Sequence, residues 1–154
     1  MDTTWTAGLT LLASVLFVCM STSISADDSK KDDPYKIPDI NAKEWKAHGD
    51  KGLKIWDVKE GSGEAAKVRG TVTVHYTGWT LDGKVFDSSK KRNQSITFSL
   101  DILIEGWKEG IPGMKPGGIR RLYIPYTMGY GETGKAGLIA PRSDLVFEIE
   151  MLED

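Results

Sequence analysis

The sequence predicts an α+β domain in which an antiparallel sheet curls over one short helix. Three observations carry this. Residues 71–77 and 144–152 alternate apolar and polar side chains with the period of a half-buried strand. One segment alone, Ile102 to Gly110, has helical spacing, and a helix that short holds only by packing. Several strands with a single helix, and no internal repeat, favour an antiparallel sheet over a parallel one.

The elements follow in order. Leu53 to Val58 is a first strand, ended by the turn Lys59-Glu60-Gly61-Ser62-Gly63. From Thr71 to Thr77, Val72, Val74 and Tyr76 share one face, opposite Thr71, Thr73, His75 and Thr77. Leu81-Asp82-Gly83 supplies turn chemistry before the short extended piece Val85 to Ser89, and Ser95 to Leu100 alternates with Ile96, Phe98 and Leu100 inward. The helix presents Leu103, Ile104, Trp107 and Ile111 to the core and ends at Gly110 and Pro112. Ile119 to Pro125 and Asp144 to Leu152 complete the strands, with Leu122, Ile124, Leu145, Phe147, Ile149 and Met151 facing in.

Before these strands lies a different kind of sequence. Leu9 to Val18 is apolar and is followed by the small residues Ser23, Ser25 and Ala26, then by a charged run. That order predicts a signal peptide over residues 1–26, although the opening MDTTWTAG carries no Lys or Arg. The apolar run is short for a membrane span, so no stable span is expected after processing. Val18, before Cys19, is not the small residue that lipidation prefers, and cleavage would remove this sole cysteine, leaving no disulfide. Residues 27–51 are polar with Pro34 and Pro38, and read as a tether with one helical turn around Asn41 to Ala47. The folded domain is expected over 52–154.

Composition narrows the function. Net charge is −2, and the Lys and Arg residues are scattered, so nothing favours a nucleic-acid partner. His48 and His75 lack Cys, Ser or carboxylate neighbours at the spacing of a metal site or triad, so no metal and no cofactor are expected. The Gly61-Ser62-Gly63 stretch precedes a strand where a dinucleotide fingerprint needs a helix. Asn93-Gln94-Ser95 is a glycosylation acceptor sequence. Nothing in the tether resembles a dimerisation heptad, and a monomer is expected.

What remains is a convergence of aromatic residues. Tyr76, Phe86, Trp107, Tyr130 and Phe147 come from five segments, with Asp87 as a single carboxylate among them. Periodicity alone makes them core aromatics. The loop after Gly129 is unusual, however, because it holds Tyr130, Leu138 and Ile139, apolar residues of the kind that mark a binding surface.

These residues also carry a family resemblance. Val74-His75-Tyr76-Thr77-Gly78, Asp82-Gly83-Lys84-Val85-Phe86-Asp87-Ser88-Ser89, Gly106-Trp107-Lys108-Glu109-Gly110, Gly129-Tyr130-Gly131 and Leu145-Val146-Phe147 resemble, in order and near spacing, the FKBP-type peptidyl-prolyl cis-trans isomerases. The resemblance implies a five- or six-stranded half-barrel wrapped around the helix, with a shallow apolar pocket between them. It implies Trp107 as the pocket floor, with Tyr76, Phe86, Phe147, Leu103, Ile104 and Ile96 around it, and Tyr130 and Ile139 reaching in from the loop. Asp87 would stand at the rim, oriented by Tyr76 and paired with Arg92, and the Ile104 N–H and Tyr130 hydroxyl would hold substrate carbonyls. The implied partners are proline-containing polypeptides and macrolides, and the implied activity is X-Pro isomerisation in the folding of exported proteins.

Three departures stand out. Only five residues separate Leu100 from Gly106, a tighter connection than in small members of the family, and Ile102 replaces a polar residue there. Ile96 stands where a third pocket phenylalanine is common, and Lys135 where a histidine or another polar residue is. The tight connection keeps open a second reading, a proline-binding or holdase module with little turnover. A purely structural β-domain is the third.

Overall fold

The computed structural model describes residue 33 and residues 35–152 of the chain. Its strands are β1 Lys46–His48, β2 Leu53–Lys59, β3 Thr71–Thr80, β4 Val85–Ser88, β5 Ile96–Ser99, β6 Ile119–Ile124 and β7 Leu145–Met151, with one α-helix, α1, at Glu105–Gly110. The expected signal peptide lies outside the described residues. Among these, no helix is long and apolar enough to cross a membrane.

All strand pairs are antiparallel, in the order β1-β2-β6-β7-β3-β4, with β5 also on β3. The length of β3 makes this possible. Its first half pairs with β5, from Thr71 opposite Ser99 to Val74 opposite Ile96, and its second half pairs with β4. Along its other edge β7 runs from Val74 opposite Met151 to Thr80 opposite Leu145. The sheet therefore curls, and Val72, Val74, Leu122, Ile124, Leu145 and Ile149 line its buried inner side.

Helix α1 fills the concavity. A six-residue helix has almost no stability of its own, so the burial of Trp107, and of Ile111 just beyond its end, about 1.5–3 kcal/mol each, holds it in place. Close approach to β6 requires Gly106, where an added Cβ would lie 2.5 Å from the Ile124 side chain.

Three expectations are revised here. The helix is shorter than the span 102–110, because Leu100–Ile102 form a 3-10 turn and Leu103 and Ile104 are extended before Glu105. That break leaves Ile102 79% exposed while Leu103 and Ile104 pack against the core. The sheet has seven strands, since residues 46–48 do not continue a helical turn but pair with β2, Lys46 opposite Ile55. Finally, the stretch read as tether is folded onto the sheet from Tyr35 onward. Trp79, 1% exposed on the outer face of β3, donates its indole N–H to the Tyr35 carbonyl at 2.6 Å, and Trp45 packs edge-on against Trp56 at 5.7 Å. The partners of Tyr35 and Trp45 lie 44 and 11 residues further along the chain, and no local spacing announces them.

Candidate functional site

Between the open end of the sheet and α1 lies a groove of about 200 Å³. Trp107, held by the first turn of α1, forms its floor. Around it stand Tyr76 from β3 at 5.4 Å between ring centroids, Phe98 from β5 at 5.8 Å and Phe147 from β7 at 5.3 Å, all with ring planes nearly perpendicular to the indole. Phe86 from β4 packs edge-on against Phe147 at 5.5 Å. Both phenylalanines close over Gly78, where a Cβ would sit 2.7 Å from each ring. Leu103, Ile104, Asp87, Tyr130 and Lys135 complete the lining.

Most of the expected residues thus meet in one place. Ile96 does not line the groove: it packs partly buried against the core, and Phe98, two residues on, faces the indole instead. Its inward position was legible from the alternation of β5, but its place beside Trp107 depends on the curl of the sheet. Ile139 is 4% exposed and belongs to the core, anchoring the 134–139 loop from beneath. Arg92 stays outside the lining and acts on it through Asp87. Lys135, noted in the sequence only as a departure, is a lining residue.

The one carboxylate of the groove is doubly held. Tyr76 donates its hydroxyl to Asp87 Oδ2 at 2.6 Å, and Arg92 donates to Asp87 Oδ1 at 2.6 Å and to the Tyr76 hydroxyl at 3.4 Å. Burial alone would raise the Asp87 carboxyl, but the hydrogen bonds from Tyr76 and Arg92 outweigh it and hold the group below the ordinary carboxylate range. Burial, reinforced by the bond to Asp87, pushes the Tyr76 phenol up to about 12. The Tyr130 phenol is also raised, by burial and then by the Asp87 charge. At neutral pH the groove therefore holds a fixed carboxylate and two neutral phenols.

Three donors around the groove have no internal partner among the described residues. The Trp107 indole N–H is the buried side-chain polar atom left without an acceptor. The Tyr130 hydroxyl makes no hydrogen bond, and the backbone N–H of Ile104 meets no acceptor while its carbonyl accepts from Trp107 and Lys108. A larger cleft of about 750 Å³, under residues 33–40, is instead bordered by Lys36, Lys90, Arg121 and Glu148 and lacks an aromatic floor. Among the described residues no group of three or more His, Cys, Asp or Glu is placed to hold a metal ion. His75, half-buried, is engaged through Nδ1 with Ser89 at 3.1 Å, a structural contact beside the strand pair.

Comparison with known proteins gives this arrangement a family. The profile of the FKBP-type peptidyl-prolyl cis-trans isomerases matches residues 62–152. An FK506-binding protein of Neisseria meningitidis serogroup B is 49% identical over 104 residues, 66% of this chain and 95% of that protein. Among solved structures, FkpA from Escherichia coli superposes with a TM-score of 0.68 at 42% identity, covering 73% of this chain and 52% of that one. A peptidyl-prolyl cis-trans isomerase from Pseudomonas syringae pv. tomato superposes at 0.67 with 36% identity, covering 73% of this chain and 82% of its own. With the aromatic groove, the curled antiparallel sheet and the matched profile together, the chain belongs to the FKBP-type peptidyl-prolyl cis-trans isomerases and is an enzyme of that class.

Proposed function

We propose that the groove binds the proline ring of an X-Pro segment on Trp107 and accelerates rotation about the preceding amide by favouring its twisted form. The observation that carries this reading is the combination of an aromatic cavity, an unpaired indole N–H in its Trp107 floor, and a lining without Ser, Cys or His. The cavity is smaller than one that buries a whole drug-sized molecule. It suits one ring of a larger partner.

The chemistry needs no bond making. Resonance sets a barrier of roughly 18–20 kcal/mol to amide rotation, and uncatalysed X-Pro exchange takes tens to hundreds of seconds. The twisted amide has lost conjugation, so its carbonyl is less polar than in either planar form. A desolvated aromatic cavity penalises the planar amide more than the twisted one, and only such differential binding accelerates the step. In this reading the Ile104 N–H and the Tyr130 hydroxyl hold substrate carbonyls. Asp87, fixed by Tyr76 and Arg92, supplies oriented negative charge and takes no proton. Phe86, Phe98, Leu103 and Phe147 exclude water.

The same cavity would accept the ring of a macrolide such as FK506, in competition with the peptide. The apolar segment Leu9 to Val18, followed by Ser23, Ser25 and Ala26, supports export, and the clients would then be exported polypeptides whose folding waits on proline isomerisation, served by a monomer. The reading is tested by NMR exchange on an Ala-Leu-Pro-Phe peptide with and without the protein. Acceleration that FK506 suppresses supports it; ligand binding without acceleration would favour the binding-module reading instead. Amino-terminal sequencing of the mature protein would test export, with a start at or near residue 27 expected.

A further inference from the structure

We propose that Lys135 makes the enzyme selective for X-Pro segments with a carboxylate side chain, Asp or Glu, immediately beside the proline. This rests on the isomerase reading of the groove given above. The lining contains two charged side chains, Asp87 and Lys135. Asp87 is already committed, with one oxygen to Tyr76 and the other to Arg92. Lys135 has no carboxylate within ion-pair distance among the described residues. The acid in its own loop, Glu132, is paired with Arg142. An arriving polypeptide therefore meets one uncompensated charge at the groove, and that charge is positive.

The position of this charge is set by the fold. The Lys135 N–H donates to the Ile139 carbonyl at 2.8 Å and the Ile139 N–H returns to the Lys135 carbonyl at 2.9 Å, closing a small loop whose buried end is Ile139. The backbone of Lys135 is thereby tied to the core through Ile139. Its exposed side chain lines the groove and lies over Tyr130, with Nζ 5.7 Å from the ring centroid. A carboxylate on a residue flanking the bound proline comes within reach of this ammonium. A cationic residue there meets repulsion.

The size of the effect follows from exposure. An exposed ion pair changes a rate or an affinity by about two- to fivefold at low ionic strength, and the advantage fades as salt shortens the screening length to about 3 Å at 1 M. The test compares kcat/KM of the full chain for Glu-Pro, Gln-Pro and Lys-Pro peptides of otherwise identical sequence, and for the same series with the variable residue after the proline. The wild type is expected to favour Glu over Gln by about two- to fivefold, and Gln over Lys by a similar factor, in at least one series. Lys135→Gln should flatten the ranking, Lys135→Glu should invert it, and 1 M salt should remove it from the wild type. A ranking that survives in Lys135→Gln, or no ranking in either series at low salt, overturns the proposal. A Leu-Pro peptide with the wild type separates the two levels: its acceleration upholds the isomerase reading whatever the charge ranking, and its failure sinks both.

Discussion

The two faces of the sheet are both rich in aromatic residues, yet they treat polar atoms in opposite ways. On the outer face the donors of Trp79, Trp45 and Tyr123 are satisfied from within. Trp79 donates to the Tyr35 carbonyl at 2.6 Å, Trp45 to the Asp39 carbonyl at 2.8 Å, and Tyr123 to Asp144 at 2.6 Å. Cations cap the same surface, with Arg121 4.4 Å from the Trp56 ring centroid and Lys54 5.2 Å from that of Tyr123. On the inner face the Trp107 indole and the Tyr130 hydroxyl have no acceptor among the described residues. Of these two only the Trp107 indole is a buried unpaired donor, which costs about 1–3 kcal/mol and calls for an explanation beyond packing; Tyr130 is half-buried and does not carry that cost. Aromatic content does not distinguish a binding face from a structural one. A buried donor left unpaired does, and among the described residues that donor is the Trp107 indole N–H.

Substitutions that cross this comparison should have opposite readouts. The largest expected effect is on the outer face: Trp79→Ala removes a side chain that is 1% exposed and should destabilise the fold by about 3–5 kcal/mol, read as a fall in the denaturation midpoint, while the fraction still folded keeps its isomerase activity. Next is Asp87→Asn on the inner face. It weakens the bonds from Tyr76 and Arg92 and should lower kcat/KM about tenfold, equivalent to about 1.4 kcal/mol, with the denaturation midpoint nearly unmoved. If the midpoint falls and the rate per folded molecule holds, Asp87 is a structural group.

A matched pair sharpens the contrast. Tyr123→Phe deletes a hydroxyl bonded to Asp144 and should cost stability of about 1 kcal/mol without touching activity. Tyr130→Phe deletes a hydroxyl with no internal partner and should lower kcat/KM severalfold with no loss of stability. The smallest expected effect is that of pH. Folding holds the Asp87 carboxyl below its unfolded value, so its contribution is fully present at neutral pH and is lost only as pH falls through the lowered value. Tyr76 titrates up at about 12. The isomerisation rate should therefore be level from about pH 5 to pH 9, and a rise or fall centred near the ordinary histidine value would reveal a proton transfer that this chemistry does not contain.

Much of this arrangement was legible in the chain. The alternation of Val72, Val74 and Tyr76, and of Leu145, Phe147 and Ile149, names the inner face because a strand's side chains point to alternate sides. The brevity of the helical segment, with Gly110 at its end and Pro112 beyond it, marked where α1 stops. Its start was misjudged because Ile102, Leu103 and Ile104 are apolar at helix-like spacing, whereas the chain turns through a 3-10 segment and extends before Glu105. Spacing reports which residues could share a face. It does not report whether the backbone is free to put them there.

What the sequence alone determined is the local grammar: where the longer strands run, where turns fall, and that aromatic residues of five segments, core residues by periodicity alone, follow the order of the family pattern. What only the tertiary structure decided is how those segments meet. The curl of the sheet put Phe98 rather than Ile96 against Trp107 and sank Ile139 into the core, and residues 35–48 came to cover the outer face instead of spacing the domain from something else. The physical reason is range. Periodicity is set by sterics between neighbours in the chain, but the contacts that aim Asp87, seat Trp107 and leave Lys135 unpaired join residues far apart in sequence, and their geometry exists only once the sheet has closed.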